Sequence, residues 1–386
     1  MFKTLLKGMA FAERRIDRVR WHYLRKYDRL GQLHIIPYRG FGNRQEARIT
    51  GRLLEWKNIE PARKQDSTWK NLKAMWKRFQ STEIPDARIQ AEFLGETYTT
   101  KTDEEGYFEF IVKVNDKIDD DVLWHPVTLR LLDKIGKNEG PVEAEGQLLI
   151  APPEAEFGVI SDVDDTVLET QATSFIRMMK QTFLRNASTR LPFKGVAGFY
   201  RALHMGGFKD RFKNPLFYVS SSPWNLYDML EEFWEINKIP AGPFLLRDLG
   251  LDETKFIKSA HLDHKLKQVE MVFSYTGKLP FILIGDSGQH DPEIYKQVVH
   301  DFPGRVKAIY IRDVSMDERD AQVVEIGEHM GLHNEVPMLL VKDTEMAARH
   351  ALENNYILQE NLIDVIQEKA KDEKPDSEDE NSDQAK

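Results

Sequence analysis

The chain has 386 residues, a formal net charge of −9 and no cysteine. The absence of cysteine excludes disulfide frameworks and thiol catalysis, and the acidic total disfavours a nucleic-acid-binding protein, which needs a basic surface. No stretch approaches the ~18 consecutive apolar residues of a membrane-spanning helix. A chain of this length predicts two domains. We expect the protein in the cytoplasm, because nothing in the sequence points to secretion.

Residues 1–31 predict a basic amphipathic helix. They carry nine Lys or Arg against three acids, a net charge of +6. Apolar side chains recur at three- and four-residue steps, at Leu5, Met9, Ala12, Ile16, Val19, Tyr23 and Tyr27. Each basic residue near an anionic bilayer contributes about 1 kcal/mol, so this segment can hold the protein at the inner face of a membrane. Packing of the same apolar stripe against the next domain is equally consistent with the sequence.

Residues 35–150 predict a small β-sandwich domain. Segments rich in β-branched and aromatic residues predict strands at 49–54, 87–93, 107–112 and 127–131. The acidic, glycine-containing turn at 102–106 predicts a hairpin. No set of residues in this region suits catalysis, so we expect a packing or docking role.

Three predicted apolar strands beyond residue 155 are each followed by polar residues. The strands are residues 157–160, 216–219 and 281–284. The polar residues that follow them are Asp162 and Asp164, then Ser220 and Ser221, then Asp286 and Asp291, with Lys265 between the second and third strands. Charged groups beside a core are costly unless they are paired or bound to a metal. The order of these residues therefore predicts one site at one edge of a sheet.

These residue types suit the hydrolysis of a phosphate monoester, a reaction that requires rate enhancements of up to ~10²¹. One carboxylate can act as nucleophile, and a second can protonate the leaving alkoxide and then activate water. Carboxylates also bind Mg²⁺, which neutralises charge between nucleophile and phosphate. A lysine and a hydroxyl can hold the phosphoryl oxygens in line.

The same residues resemble the four motifs of the haloacid dehalogenase superfamily. The motifs are Asp162-x-Asp164-x-Thr166, Ser220, Lys265 and Gly285-Asp286-x-x-x-x-Asp291. Within that superfamily, Tyr218 through Leu226, Leu245 through Asp248 and Ile284 through Tyr295 resemble the phosphatidate phosphatase catalytic-domain family first described in a fungal actin-patch protein. The resemblance covers residues 155–350.

The resemblance implies a role for each residue. Asp162 is implied as the nucleophile and Asp164 as the general acid and base. The implied Mg²⁺ ligands are Asp162, Asp286, Asp291 and the backbone carbonyl of Asp164.

The implied phosphate-binding residues are Ser220, Ser221 and Lys265. Ser221 stands where family members often have Asn, and Ser222 is a further hydroxyl beside Ser220. Lys267, two residues beyond Lys265, is an alternative for the site lysine.

The resemblance implies an α/β fold over residues 155–350, a Rossmann-like core with a parallel sheet and a minimal cap. Residues 170–187 predict an extra helix rather than a lid domain, so we expect an open site that suits a phosphate carried on a membrane. A helix is predicted at 351–370, and the acidic, apolar-poor residues 371–386 predict a disordered tail.

We therefore expect a Mg²⁺-dependent phosphatase that converts the phospholipid phosphatidate to diacylglycerol and phosphate at a membrane surface. Two alternatives stay open. The same chemistry can act on another phospholipid, a phosphoprotein or a nucleotide monoester, or the site can bind Mg²⁺ and phosphate in a membrane-associated scaffold without turnover. The sequence gives no indication of oligomeric state.

Overall fold

A computed structural model describes residues 30–56, 82–163, 194–207, 214–247, 258–314 and 317–373. The basic helix expected over residues 1–31, except for its last two positions, lies outside these ranges, as does the helix expected at 170–187. Asp164 and the acidic tail beyond Glu373 also lie outside them. No helix within the described ranges combines the length and apolar character needed to cross a membrane.

Within residues 30–56 and 82–150, the N-terminal region contains eight strands, which confirms the expected β region. The strands are β1 (Gln32–Pro37), β2 (Gly40–Gly42), β3 (Glu46–Trp56), β4 (Arg88–Phe93), β5 (Glu96–Lys101), β6 (Tyr107–Lys113), β7 (Trp124–Leu131) and β8 (Glu143–Ile150). Burial alternates along β4, β6 and β7, as expected for strands with one face on a core and the other in solvent. The inward side chains, including Ile49, Ile89, Phe110 and Leu129, form one apolar cluster.

The hydrogen bonding of this region differs from the two separate sheets of a β-sandwich. All eight strands belong to one sheet, in the order β1-β3-β2-β8-β7-β4-β5, with β6 also paired to β3. The cause is the length of β3, which has 11 residues. It pairs with β6 along one edge and with both β1 and β2 along the other. Because β2 also pairs with β8, all of these strands join into one sheet.

The C-terminal region contains a six-stranded sheet in the order β11-β10-β9-β12-β13-β14. Its strands are β9 (Gly158–Asp162), β10 (Leu216–Pro223), β11 (Phe244–Arg247), β12 (Phe281–Asp286), β13 (Val306–Arg312) and β14 (Met338–Val341). Every neighbouring pair is parallel. Parallel sheets are covered on both faces, which is why β9, β10 and β12 are almost fully buried and why β10 and β12 begin with four consecutive apolar residues.

Helices cover both faces of this sheet. They are α1 (Val196–Met205), α2 (Tyr227–Ile236), α3 (Lys258–Tyr275), α4 (Asp291–Asp301), α5 (Asp317–Asn334), α6 (Thr344–Glu353) and α7 (Gln359–Glu373). Apolar side chains of α1, α2, α6 and α7 share one core cluster, and those of α3, α4 and α5 share the other. The result is an α/β unit of three layers.

Two helices, α6 and α7, occupy the segment for which one helix was expected at 351–370. Asn354 ends α6, and the next residue, Asn355, has a φ of 58°. Asparagine adopts this left-handed conformation more readily than most residues, so the Asn-Asn pair ends the first helix.

The two regions are joined by aromatic packing. Tyr38, between β1 and β2, stacks on Trp224 with ring centroids 4.4 Å apart. Phe41 in β2 meets Phe217 in β10 edge to face, with centroids 5.3 Å apart. Tyr38 and Phe41 therefore enter the two different cores of the α/β unit, which ties the β region to it.

Candidate active site

The strand register brings three predicted site residues to one edge of the parallel sheet. Val219 of β10 pairs with Asp162 of β9, so Ser220 lies one residue beyond Asp162. On the other side of β9, Ile284 of β12 pairs with Ser161, which places Asp286 just beyond Asp162. Chain order reverses between β9 and β12, and such a switch point in an open α/β sheet is where ligands bind.

Asp162, Asp286 and Asp291 form a cluster of buried carboxylates. One carboxylate oxygen from each residue lies within 4.8 Å of the others. Their exposed fractions are 1%, 3% and 0%. Buried acids this close need a compensating cation, and carboxylate oxygens are the protein ligands that Mg²⁺ prefers. The donor set therefore fits the expected Mg²⁺.

Gly285 allows Asp291 to reach this cluster. A Cβ atom at Gly285 would lie 2.4 Å from Asp291 Oδ2, a distance that real Cβ atoms do not adopt. Asp291 Oδ2 in turn accepts a hydrogen bond of 3.0 Å from the backbone N–H of Asp286. Gly285 is thus a steric requirement of the Asp291 carboxylate six residues later.

Lys265 lies among the carboxylates. Its Nζ is 2.8 Å from Asp162 Oδ1 and also contacts Asp291 Oδ1. The Lys265 side chain is buried, whereas Lys267 on the same helix is exposed. Of the two lysines that the sequence left open, the structure brings Lys265 to the cluster.

Negative charge dominates the local electrostatics. Burial and then the neighbouring Asp291 carboxylate raise the pKa of Asp286 to about 6, although Lys265 and Arg312 act in the opposite direction. The backbone N–H of Gln289 donates to Asp286 Oδ1 at 3.0 Å, which favours the ionised form. The raised pKa means that the ionised form of Asp286 is disfavoured, and a nearby cation would stabilise it.

Ser220 is buried on β10, and its neighbour Ser221 is half-buried. The backbone N–H of Ser222 donates to Ser220 Oγ at 3.0 Å, which orients the hydroxyl. The strand continues to Pro223 rather than ending at Val219. Asp164 is not among the described residues.

The sequence reasoning missed several residues around the site. Arg312 ends β13 beside Asp286, with which it is paired in register. Its position at the end of an apolar strand is the signal by which Asp162 and Asp286 were found. Ser161 and Tyr200 lie behind the nucleophile candidate, with their hydroxyl oxygens 2.6 Å apart. Arg319 of α5 contacts the segment between Asp286 and Asp291, and no local pattern indicates it.

Comparison with solved structures gives only weak likeness. A carbohydrate acetylesterase from Xanthomonas citri aligns at 12% identity with a TM-score of 0.25, over 70% of this chain and 66% of that one. This score is too low to indicate a shared fold.

Sequence relatives are more informative. Phosphatidate phosphatase APP1 of Saccharomyces cerevisiae is 30% identical over 199 residues, which are 50% of this chain and 33% of that protein. An uncharacterised protein of Schizosaccharomyces pombe is 29% identical over 162 residues, 42% of this chain and 26% of that protein. The chain thus spans about a third or less of the length of these relatives.

The catalytic-domain family of phosphatidate phosphatase APP1 matches residues 157–313. This range contains the carboxylate cluster, Ser220 and Lys265. The match and the yeast relative confirm the resemblance to the phosphatidate phosphatase catalytic-domain family over the part of the chain that carries the candidate site.

Proposed function

We propose that this protein is a Mg²⁺-dependent phosphatase of the haloacid dehalogenase type that hydrolyses phosphatidate to diacylglycerol and phosphate. The observation that carries the proposal is the buried cluster of Asp162, Asp286 and Asp291 with Lys265 in contact. The family match over residues 157–313 supports the reaction class. The printed name of the yeast relative supports the substrate.

The metal site proposed here consists of Asp162, Asp286 and Asp291, with the backbone carbonyl of Asp164 as a further ligand by family resemblance. A Mg²⁺ ion held there would neutralise charge between the nucleophile and the phosphate. The burial of three acids beside one lysine supports this assignment, because a divalent cation balances the excess negative charge.

In the first half of the reaction, an Asp162 carboxylate oxygen attacks phosphorus. The bond between phosphorus and the ester oxygen breaks, and Asp164 gives its proton to the leaving alkoxide, which becomes the hydroxyl of diacylglycerol. The product on the enzyme is an aspartyl-phosphate at Asp162. Lys265 Nζ, 2.8 Å from Asp162 Oδ1, holds this carboxylate by a charge-assisted hydrogen bond.

In the second half, Asp164 accepts a proton from a water molecule, whose oxygen attacks the phosphorus of the aspartyl-phosphate. The bond between phosphorus and Asp162 breaks, so phosphate leaves and both carboxyl groups return to their starting states. Ser220, Ser221 and Lys265 hold the phosphoryl oxygens in both halves. The burial and orientation of Ser220 support its part in this contact.

The membrane part of the proposal depends on residues 1–31, whose net charge of +6 suits an anionic surface. We propose peripheral attachment at the inner face of a membrane, with the substrate drawn from the bilayer. Vesicle co-sedimentation of the full chain and of a variant lacking residues 1–31 tests this attachment. Equal binding of the two proteins to anionic vesicles would contradict it.

The substrate is tested by comparing initial rates of phosphate release. Phosphatidate in vesicles is compared with lysophosphatidate, a phosphopeptide and a nucleotide monoester, with Asp162→Asn as the control for contaminating phosphatases. We expect kcat/KM for phosphatidate to exceed that for each soluble monoester by at least ~10-fold. An equal or higher value for a soluble monoester would reject the lipid substrate and leave the chemistry standing. Failure on all of them would favour a scaffold that binds without turnover.

A further inference from the structure

Arg319, on the first turns of α5, uses all of its N–H donors on neighbouring groups. Nε donates to the Ser287 carbonyl at 3.1 Å, and Nη2 donates to the Gln289 carbonyl at 2.9 Å. Nη1 and Nη2 each donate to one carboxylate oxygen of Glu293, both at 2.7 Å. Nη1 also donates to Gln322 Oε1 at 3.1 Å. A guanidinium has five N–H groups, so these contacts account for all of them.

The groups that Arg319 holds lie between two of the clustered carboxylates. Ser287 and Gln289 belong to the turn that joins Asp286 to Asp291, and the Gln289 N–H is the donor to Asp286 Oδ1 at 3.0 Å. Glu293 lies in the first turn of α4, the helix that begins with Asp291. One side chain thus contacts the turn that carries Asp286 and the helix that carries Asp291.

The far side of the turn is anchored by β13 and the residues after it. The Ser287 N–H donates to the Arg312 carbonyl at 2.9 Å, and Ser287 Oγ accepts from the Val314 N–H at 3.0 Å. These two bonds fix Ser287, the first residue of the turn. Two residues later, the hydrogen bond from Arg319 Nη2 to the Gln289 carbonyl joins the turn to α5.

We propose that Arg319 is a positioning residue that sets the separation of the Asp286 and Asp291 carboxylates and thereby the affinity of the site for its divalent cation. This inference rests on the proposed function, since it requires the cluster to bind a metal. The planar fork of arginine can hold a carboxylate and two carbonyls at once, whereas the single ammonium of lysine cannot. Side chains that orient metal ligands typically change metal affinity 10- to 100-fold when they are replaced.

The test is Mn²⁺ binding, measured by electron paramagnetic resonance, for the wild type, Arg319→Lys and Glu293→Gln. We expect the Mn²⁺ dissociation constant of Arg319→Lys to rise about 10- to 100-fold. Glu293→Gln keeps both carbonyl contacts of Arg319, so we expect a smaller rise in its Mn²⁺ dissociation constant than in that of Arg319→Lys. In phosphate-release assays, the rate of Arg319→Lys recovers to within a few-fold of wild type at saturating Mg²⁺, with KM for the phosphate substrate unchanged.

Arg349→Gln is the matched control. Like Arg319, Arg349 lies on a helix and pairs with a glutamate, Glu345, but it belongs to α6 and not to the turn. We expect the Arg349→Gln variant to bind Mn²⁺ as tightly as the wild type. Mn²⁺ binding by Arg319→Lys equal to that of the wild type would overturn the positioning role while leaving the proposed function intact. If Arg319→Lys does not fold, Mn²⁺ binding by Glu293→Gln equal to that of the wild type would overturn the positioning role. A wild-type protein that binds no Mn²⁺ would overturn the proposed metal site itself, and this inference with it.

Discussion

Lys265 Nζ lies 2.8 Å from Asp162 Oδ1, and both side chains are buried. The same ammonium contacts Asp291, so one cation joins the end of β9 to the start of α4. Breaking a buried ion pair by removing one partner is costly because the other charge stays uncompensated. The pair therefore contributes to the local structure and to the position of the proposed nucleophile.

Replacing Lys265 by methionine should reduce kcat for phosphate release by about 10²- to 10³-fold, because a preorganised cation near the phosphoryl group is lost. Lys267→Gln is the matched control, since Lys267 is exposed on the same helix, and its kcat should match that of the wild type. Steady-state kinetics at saturating Mg²⁺ measure both. A large loss in Lys267→Gln with normal turnover in Lys265→Met would reverse the assignment.

Replacing Asp286 by asparagine should stabilise the metal-free protein at neutral pH. Burial and Asp291 raise the folded-state pKa of Asp286 to about 6, above the ordinary value of 3.8. Above pH 6 the Asp286 carboxyl group is ionised in both the folded and the unfolded protein. Its charge then lowers the free energy of unfolding by an amount on the order of 1–3 kcal/mol. Asparagine removes that charge and still accepts the Gln289 hydrogen bond.

The same prediction has a pH dependence with a definite sign. As the pH falls from about 6 towards 4, the folded wild type takes up a proton at Asp286 that the unfolded chain does not. The wild type therefore becomes more stable, and the difference in free energy of unfolding between Asp286→Asn and the wild type becomes smaller. Urea unfolding of both proteins in EDTA, at pH 7.5 and at pH 4.5, measures this difference. Adding Mg²⁺ should stabilise the wild type more than Asp286→Asn. An Asp286→Asn protein that is less stable than the wild type in EDTA at pH 7.5 would contradict the account.

Replacing Gly285 by alanine should displace Asp291, since the new Cβ would lie 2.4 Å from its carboxylate. We expect a loss of at least ~10²-fold in kcat/KM, as is typical when a reacting group is misplaced by about 1 Å. Gly331→Ala, at an exposed position in α5 with no atom near the new Cβ, should keep full activity. It should also raise the free energy of unfolding by about 0.5–1 kcal/mol. Normal activity in Gly285→Ala would show that Asp291 is not needed where it lies.

Replacing Tyr38 by alanine should destabilise the α/β unit although Tyr38 belongs to the β region. Tyr38 is buried against Trp224 and Tyr227, so its truncation should cost about 3–5 kcal/mol. Tryptophan fluorescence and far-UV circular dichroism should report one shared unfolding transition at lower urea concentration. Two separate transitions, with that of the α/β unit unshifted, would show that the β region folds independently of it.

Much of the site could be predicted because a polar site residue follows the apolar run of each of three strands. Asp162, Ser220 and Asp286 follow continuous apolar runs, and parallel strands bring their carboxyl ends to one edge. The choice between Lys265 and Lys267 could not be made from sequence, because charge in a polar segment does not fix which face of the helix meets the sheet. Packing against β10 decides it.

Features that depend on long-range contacts could not be predicted. Arg319 lies 30 residues beyond Gln289 in a strongly charged helix, so nothing local distinguishes it from a solvated arginine. The continuous sheet of the N-terminal region depends on β2 pairing with both β3 and the distant β8, which alternation along one strand does not reveal. The break between α6 and α7 did have a local signal, the pair Asn354 and Asn355.

The most direct test of the proposed function is phosphate release from phosphatidate vesicles by the wild type and by Asp162→Asn, each with Mg²⁺ and with EDTA. We expect release by the wild type only when Mg²⁺ is present. We also expect a rate at least ~10³-fold lower for Asp162→Asn, the loss that follows when a nucleophile is removed. Release by the wild type in EDTA, or by Asp162→Asn at the wild-type rate with Mg²⁺, would contradict a metal-dependent reaction at Asp162.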